Sequence, residues 1–157
     1  MSAADVVEAL RARGETVATA ESLTAGMVTV ELTSVPGSSA VVRGGLVVYA
    51  TDLKHALAGV DAALLAEHGA VHPEVARQLA AGARERCGAT WGLGLTGVAG
   101  PDPQDGVAPG TVHLGLSGPS GTSVRTLTLG GDRDEVRRRS TSAVLDLLRE
   151  HLKIPVG

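Results

Sequence analysis

The sequence predicts an α/β fold: a single three-layer α/β/α domain over residues 1–157, with a mixed sheet of about five strands. A length of 157 residues is typical of one domain, and 43% hydrophobic with 20% charged residues is typical of a globular chain. Helical and strand patterns alternate early in the chain, which indicates parallel strands joined by helices. Two late strand patterns joined by Gly118-Pro-Ser-Gly121 predict a hairpin, which makes the sheet mixed.

The first predicted elements are a helix, a strand and a second helix. Val6, Val7 and Leu10 have helical spacing within residues 3–13, and Gly14 is placed to end that helix. Residues 16–20 are small or β-branched, which predicts a buried strand. The following apolar pattern predicts a helix over residues 27–32.

Ser22 lies at the corner between this strand and the second helix. Backbone N–H groups at the start of a helix, at the positive end of its dipole, would face the Ser22 hydroxyl and could hold an oxyanion formed beside it. An acyl-transfer nucleophile needs this arrangement. The alternative is that Ser22 or Thr24 is only the N-cap of the helix.

The middle of the chain predicts an extended segment followed by three helices. Residues 40–49 are rich in valine, and their Gly44-Gly45 pair indicates a bulge, a close backbone approach by a ligand, or a simple bend. The helices are predicted over residues 51–58, 61–68 and 73–87. Pro73 in the first turn and Gly88 after the end define the last of them best.

A strand over residues 90–96 is predicted by alternation of large apolar residues with glycine, Trp91-Gly-Leu-Gly-Leu95. Its glycine face must closely contact either a helix backbone or a ligand. Residues 97–110 are too rich in glycine and proline for regular structure, and such a long loop between strands is usually functional. Residues 96–100 could form an anion-binding nest of N–H groups, although they match neither a P-loop nor the Rossmann spacing. Asp102 and Asp105 belong to ordinary turn pairs, so no metal is expected there.

The C-terminal part predicts the hairpin and a long helix. The hairpin strands span residues 111–117 and 123–129, and Asp132 with Glu135 resembles a capping box for a helix that ends at Leu152. Arg137, Arg138 and Arg139 point about 100° apart in turn, so they cannot form one nucleic-acid face. A solvated helix surface is the better interpretation of these arginines.

Composition excludes several classes of protein. A net charge of −3 gives no electrostatic case for a nucleic-acid partner. The single cysteine, Cys87, excludes an internal disulfide and a cysteine-based zinc cluster, and the five histidines are scattered. No apolar run has the length of a membrane span, and the N-terminus lacks a signal-peptide pattern. A cytoplasmic protein without a membrane partner is expected.

Ser22, Tyr49 and Lys54 form the one nucleophile–base set that the residues suggest. The chain has a single tyrosine, at the end of a predicted strand, and Lys54 follows it in the first turn of a predicted helix. A lysine becomes a general base when desolvation or a neighbouring cation lowers its pKa, and a tyrosine can relay the proton. A surface lysine and a core tyrosine are the alternative.

Six motifs resemble, in order and spacing, the C-terminal domain of competence/damage-inducible protein A (CinA), which also occurs alone as nicotinamide-nucleotide amidase. They are Ala20-Glu-Ser-Leu-Thr-Ala-Gly26, Pro36-Gly-Ser-Ser39, Gly44-Gly-Leu-Val-Val-Tyr49 with Lys54, Thr96-Gly-Val-Ala-Gly-Pro101, Gly110-Thr-Val112 and Gly131-Asp-Arg133. The resemblance covers almost the whole chain. It implies hydrolysis of nicotinamide mononucleotide to nicotinic acid mononucleotide and ammonia, in pyridine-nucleotide salvage.

The resemblance also implies the site residues. Its catalytic serine, tyrosine and lysine fall on Ser22, Tyr49 and Lys54, and no metal or organic cofactor is required. Substrate contacts are expected within the motifs at Thr24, Ser39, Gly45, Thr96, Gly97, Ala99 and Gly100. A homodimer is the expected assembly.

Two segments depart from the family pattern. The corner usually reads Glu-Ser-Cys-Thr-Gly-Gly, whereas Leu23 and Ala25 stand here; the segment before Gly110 usually carries Lys-Pro-Val, whereas residues 107–109 read Val-Ala-Pro. These changes favour the alternative of a non-catalytic nucleotide-binding or regulatory module linked to competence or DNA damage. A third reading is a hydrolase of another small amide or ester.

Overall fold

The computed structural model describes residues 2–155, so residues 1, 156 and 157 of the predicted domain lie outside the described part. The five strands are β1 (Val17–Glu21), β2 (Val42–Val47), β3 (Trp91–Gly97), β4 (Thr111–Gly118) and β5 (Gly121–Thr128). The six helices are α1 (Ser2–Arg13), α2 (Met27–Thr33), α3 (Thr51–Ala58), α4 (Ala62–His68), α5 (Pro73–Arg86) and α6 (Arg133–His151). The predicted α/β class with a five-stranded mixed sheet is confirmed.

The strands lie in the order β2-β1-β3-β4-β5. β1 is parallel to both neighbours, while β4 and β5 form the predicted antiparallel hairpin. At the end of β1, Glu21 pairs with Val47 on one side and Leu95 on the other. The carboxyl ends of β1, β2 and β3 therefore meet at one sheet edge, where ligands commonly bind in α/β folds.

The glycine face of β3 and β4 is covered by helix α5. Cβ atoms built on Gly92, Gly94 and Gly115 would lie 2.0, 2.5 and 2.1 Å from backbone atoms of Ala80, Ala80 and Ala76. Such distances leave no room for a side chain, so the helix backbone rests directly on the strands. Of the two predicted partners for this face, the helix is correct.

The opposite face of the sheet packs against α1, α2 and α6. Leu93, Leu95 and Leu114 point into this layer and are fully buried, together with apolar residues of the helices such as Leu10 and Leu148. The chain has almost no aromatic residues, so this core is built from leucine, valine and alanine. The single tryptophan, Trp91, closes one end, and its indole N–H donates to Glu15 Oε1 at 3.1 Å.

The predicted extended segment over residues 40–49 is shorter in the structure. A 3-10 turn spans Ser38–Ala40, and β2 begins at Val42. The β1–β2 register shifts here, because Val17 pairs with Val42 while Ala18 pairs with Gly44. The register skips Arg43, directly before the glycine pair, which among the three interpretations favours the bulge.

Candidate active site

A cavity of about 320 Å³ opens at the carboxyl edge of β1, β2 and β3. Ser22 and Leu23 of the corner after β1, Tyr49 after β2, and Ala70 and Val71 before α5 form part of its wall. The rest comes from residues 96–104 of the loop after β3 and from Arg133 of α6. Six of the predicted site residues line this cavity: Ser22, Tyr49, Thr96, Gly97, Ala99 and Gly100.

The corner holds Ser22 at the cavity wall by backbone bonds. The Ser22 N–H donates to Leu95 O at 3.1 Å, and its carbonyl accepts from Ala25 N at 3.1 Å. Within residues 2–155, the Ser22 hydroxyl forms no hydrogen bond. The nucleophile expected at this position is thus fixed through its main chain, and its side chain remains available.

The buried carboxylate of Glu21 caps the start of α2. Its Oε1 accepts from Val28 N at 2.9 Å, and its Oε2 accepts from the N–H and the hydroxyl of Thr29 at 3.1 and 2.8 Å. The N-cap residue is Gly26, with no side-chain cap bond. The alternative that Ser22 or Thr24 caps this helix is therefore wrong: the preceding residue, Glu21, does so from the strand end.

The N–H groups at the start of α2 are already occupied. Met27 N donates to Thr24 O, Val28 N and Thr29 N donate to Glu21, and Val30 N donates to Gly26 O. The expectation that these groups hold an oxyanion is therefore wrong. In the described part of the chain, no group accepts from the N–H of Leu23, Thr24, Ala99 or Gly100, and all of these except Thr24 line the cavity.

Lys54 lies in the first turn of α3, with its side chain 1% exposed. Its Nζ donates to the carbonyls of Val48 at 2.9 Å and Tyr49 at 3.0 Å. Burial lowers the pKa of Lys54 to about 8, against an opposing effect of the Asp105 carboxylate. The alternative of a surface lysine is wrong, and the low pKa meets the requirement for a general base near neutral pH.

A short path of contacts joins Lys54 to the Ser22 corner. Val48, whose carbonyl binds the Lys54 ammonium, donates its N–H to Glu21 O at 2.9 Å. Glu21 directly precedes Ser22, so two hydrogen bonds connect the lysine with the end of β1 that presents the serine. Lys54 itself is not among the residues that line the cavity.

Tyr49 is 60% exposed, so the alternative of a core tyrosine is wrong. Its hydroxyl accepts from Arg133 Nη2 at 3.2 Å, and the Arg133 Nη1 donates to Gly100 O at 2.7 Å. The carbonyl of Tyr49, and not its hydroxyl, contacts Lys54. Arg133 therefore links the tyrosine to the glycine-rich loop.

The glycine-rich loop is tied to the sheet on one side of the cavity. The Thr96 hydroxyl donates to Ala70 O at 2.7 Å, and Val98 N donates to Thr111 O at 2.9 Å. A Cβ built on Gly97 would lie 2.7 Å from Thr111 O, so Gly97 is required for strand packing. Gly100 has φ +92°, a left-handed backbone that favours glycine.

Three predicted substrate contacts lie outside the cavity wall. Thr24 is fully buried, and its hydroxyl has no hydrogen-bond partner among residues 2–155. Ser39 is exposed on the 3-10 turn. A Cβ built on Gly45 would lie 2.5 Å from the hydroxyl oxygens of both Thr19 and Thr29, so this glycine accommodates a neighbouring hydroxyl pair.

Sequence reasoning missed three residues that shape the site: Glu21, Arg133 and Arg137. The Arg137 Nε donates to Leu23 O at 2.8 Å, so this side chain braces the Ser22 corner and is not a solvated arginine. Arg133 could have been predicted from the sequence, because it ends the Gly131-Asp-Arg133 motif. The role of Glu21 depends on where α2 begins in space, which no local pattern indicates.

Neither a metal cluster nor a membrane helix is found in the described residues. Among residues 2–155, no three His, Cys, Asp or Glu side chains are arranged to hold a metal ion. Along the same residues, none of the helices combines the length and the apolar character needed to cross a bilayer.

The sequence matches known proteins over nearly its whole length. The family model described as CinA C-terminal domain matches residues 1–152. A CinA-like protein of Frankia casuarinae is 51% identical over 140 residues, 89% of this chain and 32% of the relative. A CinA-like protein of Anaeromyxobacter dehalogenans is 54% identical over 149 residues, 94% of this chain and 36% of the relative. The chain thus spans about a third of the length of these relatives.

Solved structures share the fold. A CinA superfamily protein from Klebsiella pneumoniae superimposes with a TM-score of 0.93 at 27% identity, covering 97% of this chain and 96% of that one. A competence/damage inducible protein from Agrobacterium tumefaciens gives a TM-score of 0.88 at 32% identity, covering 98% and 96%.

Proposed function

Because the chain belongs to the CinA C-terminal domain family, we propose that it hydrolyses the carboxamide of nicotinamide mononucleotide, releasing nicotinic acid mononucleotide and ammonia. The observation that carries the proposal is Lys54, a buried lysine of low pKa whose Nζ donates to the carbonyl of Val48, the residue that pairs with Glu21 next to Ser22. Burying a lysine costs free energy, and a role as the proton acceptor for Ser22 would give this buried lysine a function.

The contacts of Lys54 suit the neutral amine. A neutral amine has two N–H bonds, and the carbonyls of Val48 and Tyr49 accept two. We propose that the lone pair of this amine accepts the Ser22 proton, directly or through the Tyr49 hydroxyl. At neutral pH a minor fraction of the enzyme carries this amine, since the pKa of Lys54 is about 8.

The proposed reaction has two steps. The Ser22 oxygen attacks the carboxamide carbon while Lys54 accepts its proton; the C–N bond then breaks, and the proton leaves with the nitrogen as ammonia. Water attacks the acyl-enzyme, Lys54 takes a proton from it, and this proton returns to Ser22. The unpaired N–H groups of Leu23, Ala99 and Gly100 are the donors available to the oxyanion.

The departures at the corner and before Gly110 favour the rival, a nucleotide-binding module without turnover. Leu23 does not block the cavity by bulk alone, because its side chain is 4% exposed and packs in the core. The segment at residues 107–109 lacks the usual lysine, which removes one cation from the loop.

Release of ammonia from nicotinamide mononucleotide by the purified protein tests the proposal. We expect turnover by the parent, none by Ser22→Ala, and retained nucleotide binding by that variant. Binding without ammonia release would favour the regulatory module. Turnover of other amides with none of this nucleotide would favour a different amidohydrolase.

We also propose that the protein forms a homodimer. Four large apolar side chains are exposed on α2, β2 and α3: Val30, Val47, Leu53 and Leu57. β2 is an edge strand, and a second copy would cover both its edge and this apolar surface. Light scattering should give twice the chain mass, and Leu57→Asp should lower it to one chain; a monomeric parent at micromolar concentration would contradict the proposal.

A further inference from the structure

Arg137, in the second turn of α6, holds the turn that follows Ser22. Its Nε donates to Leu23 O at 2.8 Å, and Leu23 lines the cavity with an unpaired N–H group. We propose that Arg137 is a positioning residue for the attack by Ser22, because it fixes the Leu23 backbone that offers a donor to the oxyanion. The reaction itself rests on the proposed function, whereas the effect of Arg137 on the turn does not.

The residues from Ser22 to Ala25 form a β-turn. Ala25 N donates to Ser22 O at 3.1 Å, which is the bond that closes the turn. The φ angle of Thr24 is negative, as in a type I turn and unlike a type II turn. These two turn types differ by a flip of the central peptide unit, which here joins Leu23 to Thr24. Arg137 binds the carbonyl of that unit and therefore opposes the flip.

The two peptide units after Ser22 have occupied carbonyls and free N–H groups. Ser22 O accepts from Ala25 N and Leu23 O accepts from Arg137, while no group in the described part of the chain accepts from the N–H of Leu23 or Thr24. The C=O and N–H of a trans peptide point in opposite directions, so a flip would put the Leu23 carbonyl where the Thr24 N–H now points. A carbonyl oxygen repels an oxyanion, so the observed orientation suits negative charge beside Ser22.

Arg137 also brings a positive charge to this turn. Its side chain is half-buried, and among residues 2–155 it forms no ion pair with a carboxylate. The neighbouring Arg138, by contrast, pairs with Asp134. A fixed cation near the place where negative charge develops favours the transition state over the bound substrate. Arg137 should therefore contribute to kcat more than to KM.

Steady-state kinetics with nicotinamide mononucleotide test this contribution. Arg137→Met keeps the aliphatic stem and removes the donor and the charge, so kcat should fall about tenfold to a hundredfold while KM stays within about twofold. Arg137→Lys keeps a charged donor and should recover part of the loss. Arg137→Gln keeps a donor without the charge, so its kcat should lie between those of Arg137→Met and Arg137→Lys.

Arg139→Met is the matched control. Arg139 is another arginine of α6 that donates to a backbone carbonyl, that of Gly130 at 2.9 Å, and neither residue lines the cavity. Its kcat should be unchanged, and denaturant unfolding of both variants separates a loss of stability from a loss of rate. Unchanged kcat in folded Arg137→Met, an equal loss in Arg139→Met, or a loss confined to KM would each overturn the proposal.

If Arg137→Met fails to fold, Arg137→Gln and Arg137→Lys carry the test. A lower kcat in Arg137→Gln than in Arg137→Lys would support the proposal. The same kcat in both variants and in the parent protein would overturn it.

Amide NMR tests the turn without any substrate. The bond from Arg137 polarises the central peptide unit, so we expect Arg137→Met to shift the amide resonances of Leu23 and Thr24. Arg139→Met should leave both resonances in place. Unchanged resonances in Arg137→Met would show that Arg137 does not hold the turn.

Acylation of Ser22 by p-nitrophenyl acetate separates this inference from the proposed function. In this reaction the Ser22 oxygen bonds to the acetyl carbon, nitrophenolate leaves with the electron pair, and Lys54 accepts the serine proton. Acylation that depends on Ser22 and Arg137, in a protein that releases no ammonia from the nucleotide, would support this inference and reject the proposed reaction. Ammonia release with the same kcat in the parent and in Arg137→Met would do the reverse. No reaction of Ser22 with either compound would reject both.

Discussion

The protonation state of Lys54 is set by what surrounds its side chain. Burial disfavours the ammonium and lowers its pKa, and the Asp105 carboxylate opposes this effect, while the carbonyls of Val48 and Tyr49 accept hydrogen bonds from Nζ. The balance leaves the pKa at about 8, compared with 10.5 for an unperturbed lysine. A group with this pKa is able to accept a proton close to neutral pH, as the proposed reaction requires.

The rate of the proposed reaction should rise with pH through about 8, because only neutral Lys54 accepts a proton. Below that pH we expect about a tenfold rise per unit. Lys54→Met should lose this rising limb of the pH–rate profile, and its rate should fall by several orders of magnitude. Some rate should return at high pH as the serine ionises. Full activity of Lys54→Met at pH 7 would end the Ser–Tyr–Lys assignment.

The same pKa predicts the direction of the pH dependence of stability. The folded protein releases the Lys54 proton near pH 8 and the unfolded chain near 10.5, so the unfolded state binds more protons between these values. The free energy of unfolding due to this group should therefore rise from pH 8 to pH 10.5. Lys54→Met should abolish that rise in denaturant titrations, and it should remain folded at neutral pH.

Asp105→Asn should shift the acidic limb of the rate profile to lower pH. Asp105 is the charge that raises the pKa of Lys54, so its removal leaves desolvation unopposed. The amide oxygen can keep the weak bond from Ala70 N at 3.4 Å. Asp52→Asn is the matched control, since it neutralises a carboxylate on α3 that does not affect the pKa of Lys54, and it should leave the limb in place. An unmoved limb in Asp105→Asn would contradict the electrostatic account.

The corner between β1 and α2 depends on backbone geometry more than on side-chain chemistry. Ala25 adopts φ +47°, in the left-handed region that favours glycine. Ser22 N and Ser22 O are both hydrogen-bonded, and the buried Glu21 carboxylate fixes the start of α2. The corner is therefore held in one conformation despite the strained alanine.

Ala25→Gly should stabilise the protein by up to about 1 kcal/mol, because a left-handed backbone is unfavourable for any residue with a Cβ. Chemical denaturation with a common m-value would measure the change. Ala66→Gly, in the middle of α4 and exposed, serves as the control of opposite sign, with an expected loss of about 0.5–1 kcal/mol. A loss at both positions would show that the strain at Ala25 is negligible.

Helix α5 packs against most of the sheet, since it contacts β1, β3, β4 and β5. Gly94→Ala would bring a methyl group to 2.5 Å from Ala80 N and 2.6 Å from Ala76 O, so helix and sheet would have to separate. We expect destabilisation of about 2 kcal/mol or more. Gly130→Ala meets no atom within 4 Å and should change stability by less than about 0.5 kcal/mol. Equal melting temperatures for the two variants would refute the close contact.

Much of this architecture could be predicted because local signals mark its elements. Gly14, Gly59, Gly69 and Gly88 follow helix ends, Pro73 opens α5, and the capping box of Asp132 with Glu135 opens α6. The glycine face of β3 was recognisable as a close contact, but a pattern cannot distinguish a helix backbone from a ligand. That distinction requires the position of α5.

The site was predictable only where its residues follow strand ends. Ser22, Tyr49 and the loop after β3 meet because β1, β2 and β3 are parallel neighbours. Gly45 and Ser39 belong to motifs of the same resemblance yet lie outside the cavity wall, since a motif does not separate packing from binding. Arg133 enters from α6, at a sequence distance of 84 residues from the tyrosine it contacts.

Because the backbone of α5 rests directly on the strands, the two faces of the sheet should differ in their tolerance to sequence change. Beneath α1, α2 and α6, leucine and valine side chains can exchange volume with one another, and a library of aliphatic variants should retain many folded members. Beneath α5 the strands present glycines, so no side-chain volume can be exchanged there. The same library applied to this face would retain almost no folded members. Selection for new substrates would therefore have to work through the cavity loop and α6, leaving the α5 face unaltered.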